Sequence, residues 1–179
     1  MLITSVKPNI TRDQAITKFR SRLRALKHGR LRFAVDFYVP YRFFQTTWDD
    51  GRSQSVAFFA ADAVTGKLDL VEFNQLPADG EIVNVDTQMI AEERINDEEA
   101  RNLVRERILG LTFNKKGFFK LSRTKVVAEM AARLHLPYWV GVYERDGRAQ
   151  IEIVDALQGR LEGAKLREVV TEWFQPHGT

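Results

Sequence analysis

The sequence predicts an α+β fold: two related helix-plus-antiparallel-hairpin units, with extra helices covering the sheet or sheets. Three observations predict it. First, residues 39–68 and 136–161 share a pattern, with Pro40 matching Pro137, Tyr41 matching Tyr138, Gly51 matching Gly147 and Arg52 matching Arg148. Asp62, Ala63, Gly66 and Leu68 match Asp155, Ala156, Gly159 and Leu161 in the same order. Internal similarity of this kind points to one supersecondary unit used twice. Second, each copy holds an Asp-Gly pair between apolar runs, Asp50-Gly51 and Asp146-Gly147. Glycine accepts the positive φ of a tight primed turn, so the flanking runs read as antiparallel hairpins. Third, a stretch with helical apolar spacing stands ahead of each copy.

The elements follow in order. Thr11-Arg12-Asp13-Gln14 reads as a capping box. The helix after it carries Ala15, Ile16, Phe19, Leu23 and Leu26 three and four apart, and Gly29 ends it. Leu31, Phe33, Val35 and Phe37 then alternate with Arg32, Ala34 and Asp36, which predicts a strand. Arg42-Phe43-Phe44 and residues 55–60 form the first hairpin, and Leu68, Leu70 and Val71 the last strand of that meander. Pro77-Ala78-Asp79-Gly80 marks a connecting loop, followed by a short strand at 81–85. Residues 87–110 read as helix in two pieces, with Asn96 capping the second and Gly110 ending it. Residues 121–135 read as another helix, with Ser122 as cap and Val126, Val127, Met130, Ala131 and Leu134 as its stripe. Trp139 to Tyr143 and Gln150 to Val154 make the second hairpin. A last helix near 164–174 presents Leu166, Val169, Val170 and Trp173, and Pro176 stops it. The expected organisation is a helix plus meander over 1–76, a helical connector over 77–120 and a helix-hairpin-helix unit over 121–179, packed as one compact domain.

With 44 % hydrophobic residues the chain has the material for a real core. It contains no cysteine, which excludes disulfides, zinc–thiolate sites and thiol catalysis. Met1 to Pro8 lacks the basic start and apolar stretch of a signal peptide, and no apolar run is long enough for a bilayer. A cytoplasmic protein without a membrane partner is therefore expected. The net charge of +3 is unevenly distributed. Residues 1–32 hold nine Lys/Arg against Asp13 alone; residues 77–106 hold nine acids against three arginines; residues 107–133 hold seven cations against Glu129. Blocks like these either face each other, inside the fold or across a dimer, or present a basic surface to a polyanion.

A helix followed by a meander ending in Asp-Ala-x-x-Gly resembles the small PepSY-type module. The resemblance is carried by Thr11-Arg12-Asp13-Gln14-Ala15, by Asp62-Ala63-Val64-Thr65-Gly66 and by Asp155-Ala156-Leu157-Gln158-Gly159, over about half of the chain. It implies a non-enzymatic protein-binding or inhibitory role.

Residues that carry chemistry are few. There is no Gly-rich phosphate loop, no Gly-x-Ser-x-Gly elbow and no His-Glu-x-x-His. His28 and His135 each end a predicted helix, where a cation suits the dipole, and His177 lies in the tail. Asp36, Asp62 and Glu72 lie on one predicted meander, but an Asp at a turn start is better explained by bonds from nearby backbone N–H groups. No metal and no cofactor are expected. The stronger candidate is basic and aromatic. Lys115, Lys116, Lys120, Arg123 and Lys125, with Phe118 to stack, join Arg20, Arg24 and Lys27 as a candidate nucleic-acid surface built from blocks 18–32 and 115–125. The competing reading buries the phenylalanines and leaves the lysines for solubility. Tyr41, Tyr138 and Trp139 either line a binding groove or anchor the core. The expected function is a non-catalytic binding or accessory module that takes a protein partner or self-associates; the alternative is nucleic-acid binding.

Overall fold

A computed structural model describes residues 1–49, 54–68, 70–116 and 125–175. The elements are β1 (Leu2–Val6), α1 (Arg12–Phe19), α2 (Arg22–His28), β2 (Arg30–Asp49), β3 (Gln54–Asp62), β4 (Val71–Phe73), β5 (Ile82–Asp86), α3 (Asp97–Lys116), β6 (Lys125–Arg145), β7 (Arg148–Asp155) and α4 (Ala164–Phe174), with a 3-10 turn at Asp79–Glu81. The expected α+β layout of two helix-plus-hairpin units is not the one observed. Among the described residues strand dominates, in a seven-stranded sheet ordered β4-β3-β2-β6-β1-β5, with β7 paired to β6.

The largest correction lies at residues 121–135. The helix expected there is the first half of β6, a strand of 21 residues. Val126, Val127, Met130, Ala131 and Leu134 fit a helical stripe, yet Val126 and Ala128 are buried while Lys125, Val127 and Glu129 are exposed, the period of two of a half-buried strand. Burial against a neighbouring helix overrides the local periodicity. Other corrections are smaller. The first helix breaks at Arg20-Ser21 into α1 and α2. Residues 87–96 contain no helix, and α3 runs through Gly110 to Lys116. The strand expected at 31–37 continues through Pro40 to Asp49, since extended backbone accepts the φ of proline. Asp50-Gly51 lies outside the described residues. At the second hairpin Asp146 (φ 52°) and Gly147 (φ 73°) both take positive φ, as a type I′ turn requires. The helix expected near 164–174 is present as α4.

The chain forms two compact units, each assembled from separate stretches. Unit 1 comprises Met1–Val39, Gly80–Glu92 and His135–Thr179; unit 2 comprises Pro40–Asp79 and Glu93–Leu134.

In unit 1, β1 pairs antiparallel with β5 and meets β6 in parallel at Ser5 and His135. The β6–β7 register sets Tyr138 opposite Asp155, Gly141 opposite Glu152 and Tyr143 opposite Gln150. Ala15 and Phe19 of α1 pack on Ala34, Tyr143 and Val154. α4 buries Leu166, Val169 and Val170, and Trp173 meets Phe37 edge-on at 5.4 Å between ring centroids.

In unit 2, β2 and β3 pair from Tyr41–Asp62 to Asp49–Gln54. Phe44, Phe59 and Ala61 pack against Ala100, Val104 and Ile108 of α3 and against Val126 and Ala128 of β6.

Each unit holds an Asp-Ala-x-x-Gly turn that seats a helix. In unit 2 the Asp62 carboxylate accepts the N–H groups of Val64, Thr65, Gly66 and Leu68 at 2.7–3.1 Å. The turn aims the Ala63 carbonyl at the segment entering α3, where the Arg94 and Ile95 N–H groups donate to it at 2.8 and 3.0 Å. Asn96 then caps α3, accepting from Glu98 and Glu99 N–H, while Glu99 reaches back to the Asn96 N–H. In unit 1 Asp155 accepts from Leu157 and Gln158, and the Ala156 carbonyl receives Asn9 and Ile10 N–H, both at 2.9 Å. Thr11 and Gln14 form the capping box that follows. Gly66 (φ +65°) and Gly159 (φ +68°) close these turns, and a Cβ at 66 would lie 2.6 Å from Leu103. Replacing Asp62 by alanine removes the acceptor of four backbone N–H groups and of the Thr65 hydroxyl in this turn. Asp62→Ala is expected to lower the unfolding free energy by about 3 kcal/mol, and Asp155→Ala by about half as much, in urea titrations. Equal losses would contradict the difference in acceptor load.

Candidate functional site

The basic stretch from Lys18 to Arg32 lies in unit 1, and the structure sorts its described cations into two classes. α2 places Arg24 and His28 four residues apart, hence on one helix face. Both reach the buried Glu152 of β7: Arg24 Nε lies 2.9 Å from Oε2 and His28 Nε2 lies 3.0 Å from Oε1. Neither contact is aligned as a hydrogen bond, so attraction between charges carries the Arg24 contact. His28 Nδ1 lies 2.6 Å from Gln150 Oε1, and its ring leans on Tyr143 at 5.5 Å. Gly141, opposite Glu152, leaves room for the Phe19 ring; a Cβ there would lie 2.9 Å from it. The Tyr143 hydroxyl donates to the Phe19 carbonyl at 2.7 Å. Burial, reinforced by the charge of Glu152, pushes the Tyr143 hydroxyl up to about 12, against the opposing pull of Arg24.

Arg32 and two cations from outside the stretch also serve the fold. Arg12 Nε donates to the Ala34 carbonyl, and Arg32 pairs with Glu144 at 2.7 Å on the surface. Arg145 donates to the carbonyls of Leu26 and Lys27, closing the C-terminal end of α2. Gly29 (φ +84°) ends α2 where a Cβ would lie 2.5 Å from the Glu144 carbonyl oxygen. Lys18, Arg20, Lys27 and Arg30 form the second class. They are exposed, and among the described residues they enter no ion pair.

Unit 2 contains a separate charge network. Buried Arg42 donates through Nε to Asp97 at 2.7 Å and through both terminal nitrogens to Glu93 at 3.1 and 2.7 Å. Arg133 also pairs with Asp97. Hydrogen bonds from Arg133 and then Arg42 hold the Asp97 carboxyl below the usual carboxylate range, and bonding to Glu93 raises Arg42 further. Asp97 opens α3, where a negative charge also suits the helix dipole. Every nitrogen of Arg42 is engaged, so this network fastens the start of α3 to β2.

The residues expected at a site are distributed as follows. Arg20 and Lys27 are exposed, and Arg24 is engaged by Glu152. Lys125 is exposed at the start of β6 in unit 2, and Lys115 and Lys116 belong to α3. Phe118, Lys120 and Arg123 lie outside the described residues. Tyr41 and Tyr138 are buried, and the Trp139 indole N–H donates to the Ile10 carbonyl at 2.7 Å. Asp62 is taken up by its turn, and Asp36 bonds Tyr38, whose hydroxyl burial and the nearby Asp36 charge push up to about 12. The Glu152 cluster was missed in the sequence. The signal lies in the alternation Ile151-Glu152-Ile153, which puts Glu152 on the face opposite the two isoleucines; Arg24 and His28 of α2 meet it there.

No protein-family model, no curated protein and no solved structure matches this chain.

The folded value of Tyr143 lies above its ordinary 10.0. Its contribution to stability is therefore whole below pH 10 and is lost as pH rises towards about 12. Phenolate absorbance, assigned by difference against Tyr143→Phe, is expected to appear only near pH 12; appearance near pH 10 with the fold intact would contradict the burial argument.

Proposed function

We propose that this chain is a binding module that recognises a polyanion, nucleic acid in particular, through the exposed cations of the Lys18–Arg30 segment. One observation supports it most. Between Lys18 and Arg32, Glu152 and Glu144 engage Arg24 and Arg32, while Lys18, Arg20, Lys27 and Arg30 are exposed and enter no ion pair among the described residues. Four neighbouring free cations raise the local potential and favour phosphates by release of counterions.

A protein partner is the second reading, favoured by a different observation. Val56 and Val127 are 53 % and 40 % exposed in unit 2. Their neighbours Ala57, Val126 and Ala128 pack towards α3, so both valines point to the other side of the sheet. An apolar sheet face of this kind suits an apolar protein surface rather than phosphate.

Fluorescence anisotropy of labelled oligonucleotides separates the two. Polyanion binding predicts affinity that falls log-linearly with salt, with a slope of about −3 for four phosphate contacts. Arg20→Glu combined with Lys27→Glu is expected to abolish it. Absence of binding at low salt, or binding insensitive to salt, would overturn the polyanion reading.

A further inference from the structure

Resting on the polyanion reading, we infer that the ligand is a single-stranded nucleic acid and that Phe33, beside Arg30, is a base-stacking residue. The start of β2 supplies the geometry. Leu31 and Ala34 both pack into the core formed with Ala15, Phe19 and Tyr143. Side chains alternate along a strand, so Arg30 and Arg32, which flank Leu31, point away from that core. Phe33 precedes Ala34 and points away with them; two inward residues three apart mark a local irregularity of the β-bulge kind. The outward face of this short run is therefore Arg30, Arg32 and Phe33. Phe33 is 46 % exposed, whereas Phe37, the next aromatic along β2, is fully buried and meets the α4 residue Trp173 at 5.4 Å. Half-buried Trp173 in turn meets Phe174 at 5.1 Å.

An exposed phenyl ring alone is an ordinary surface feature. Its chemical setting gives this one a ligand. Glu144 holds Arg32, which leaves the Arg30 guanidinium for a phosphate, and Lys27 precedes it across the Gly29 turn. A cation that tracks a phosphate beside an aromatic face that takes a base is the arrangement by which single strands are bound without reading sequence. A duplex keeps its base faces stacked inside and gives Phe33 nothing to cover.

The test compares two labelled single strands of equal length and charge, an oligothymidylate and an abasic deoxyribose-phosphate strand, in anisotropy titrations at low salt. Wild-type protein is expected to bind the base-bearing strand about tenfold more tightly than the abasic one. Phe33→Ala is expected to remove that preference while leaving abasic binding unchanged, and Phe33→Trp to restore it. Arg30→Glu is expected to weaken both. Equal affinity of wild type for the two strands, or an unchanged preference in Phe33→Ala, would overturn the stacking assignment and leave the polyanion reading standing. Failure to bind either strand would overturn both. Phe33 is solvent-facing, so an unchanged thermal midpoint for Phe33→Ala confirms that the comparison is between folded proteins.

Discussion

In each unit one alanine carbonyl fastens a helix to a hairpin that is remote in the chain. Ala63 receives the N–H groups of Arg94 and Ile95; Ala156 receives those of Asn9 and Ile10. The acceptors are aimed by Asp62 and Asp155, whose carboxylates gather the N–H groups of the turn. The donors immediately precede a capped helix, α3 or α1, so the seat fixes where each helix starts and which face it turns to the sheet. Ala100 and Val104, or Ala15 and Phe19, then fall on strand residues and are buried. Because hydrophobic contact is non-directional, a directed pair of hydrogen bonds is what sets the position of each helix along its strands.

The buried charges follow from that placement. In unit 2, α3 begins next to Arg42, and Asp97 at its first turn completes the set of acceptors the guanidinium needs. Breaking such a buried pair costs more than making it gains, so the network enforces one arrangement more than it adds stability. In unit 1, α1 leads into α2, and Arg24 and His28 arrive over Glu152. The inward side of α2 is thus occupied, and Lys27 of the same helix is exposed. Fold and proposed function meet here, since Glu152 and Glu144 engage Arg24 and Arg32 while Lys18, Arg20, Lys27 and Arg30 are exposed.

Local signals in the sequence were readable where local chemistry decides. The Thr11 box, the Asn96 cap, the Asp146-Gly147 turn and the α4 stripe each depend on a few adjacent residues, and each is present. The long strands were not readable. Pro40 and Pro137 look like boundaries but lie inside β2 and β6, and residues 126–134 carry a spacing that suits a helix as well as a strand. Only pairing and burial by distant segments resolve that ambiguity. Leu2 to Val6 is short and alternates weakly, so nothing local marks β1. The basic block 18–32 was evident from composition, whereas its division into engaged and free cations depends on Glu144 and Glu152, more than a hundred residues away. Alternation along residues 31–37 groups Phe33 with Leu31, Val35 and Phe37, yet Phe33 is 46 % exposed while Phe37 is buried.

Native-state hydrogen exchange resolved to single amides tests the role of the alanine seats most directly. The account predicts that the amides of Arg94, Ile95, Asn9 and Ile10 exchange only through global unfolding, as slowly as the centres of β2 and β6. Exchange of these four amides through low-energy local opening, at the rate of an exposed loop, with the strand centres still protected, would show that the helices are held by packing alone and would contradict the account.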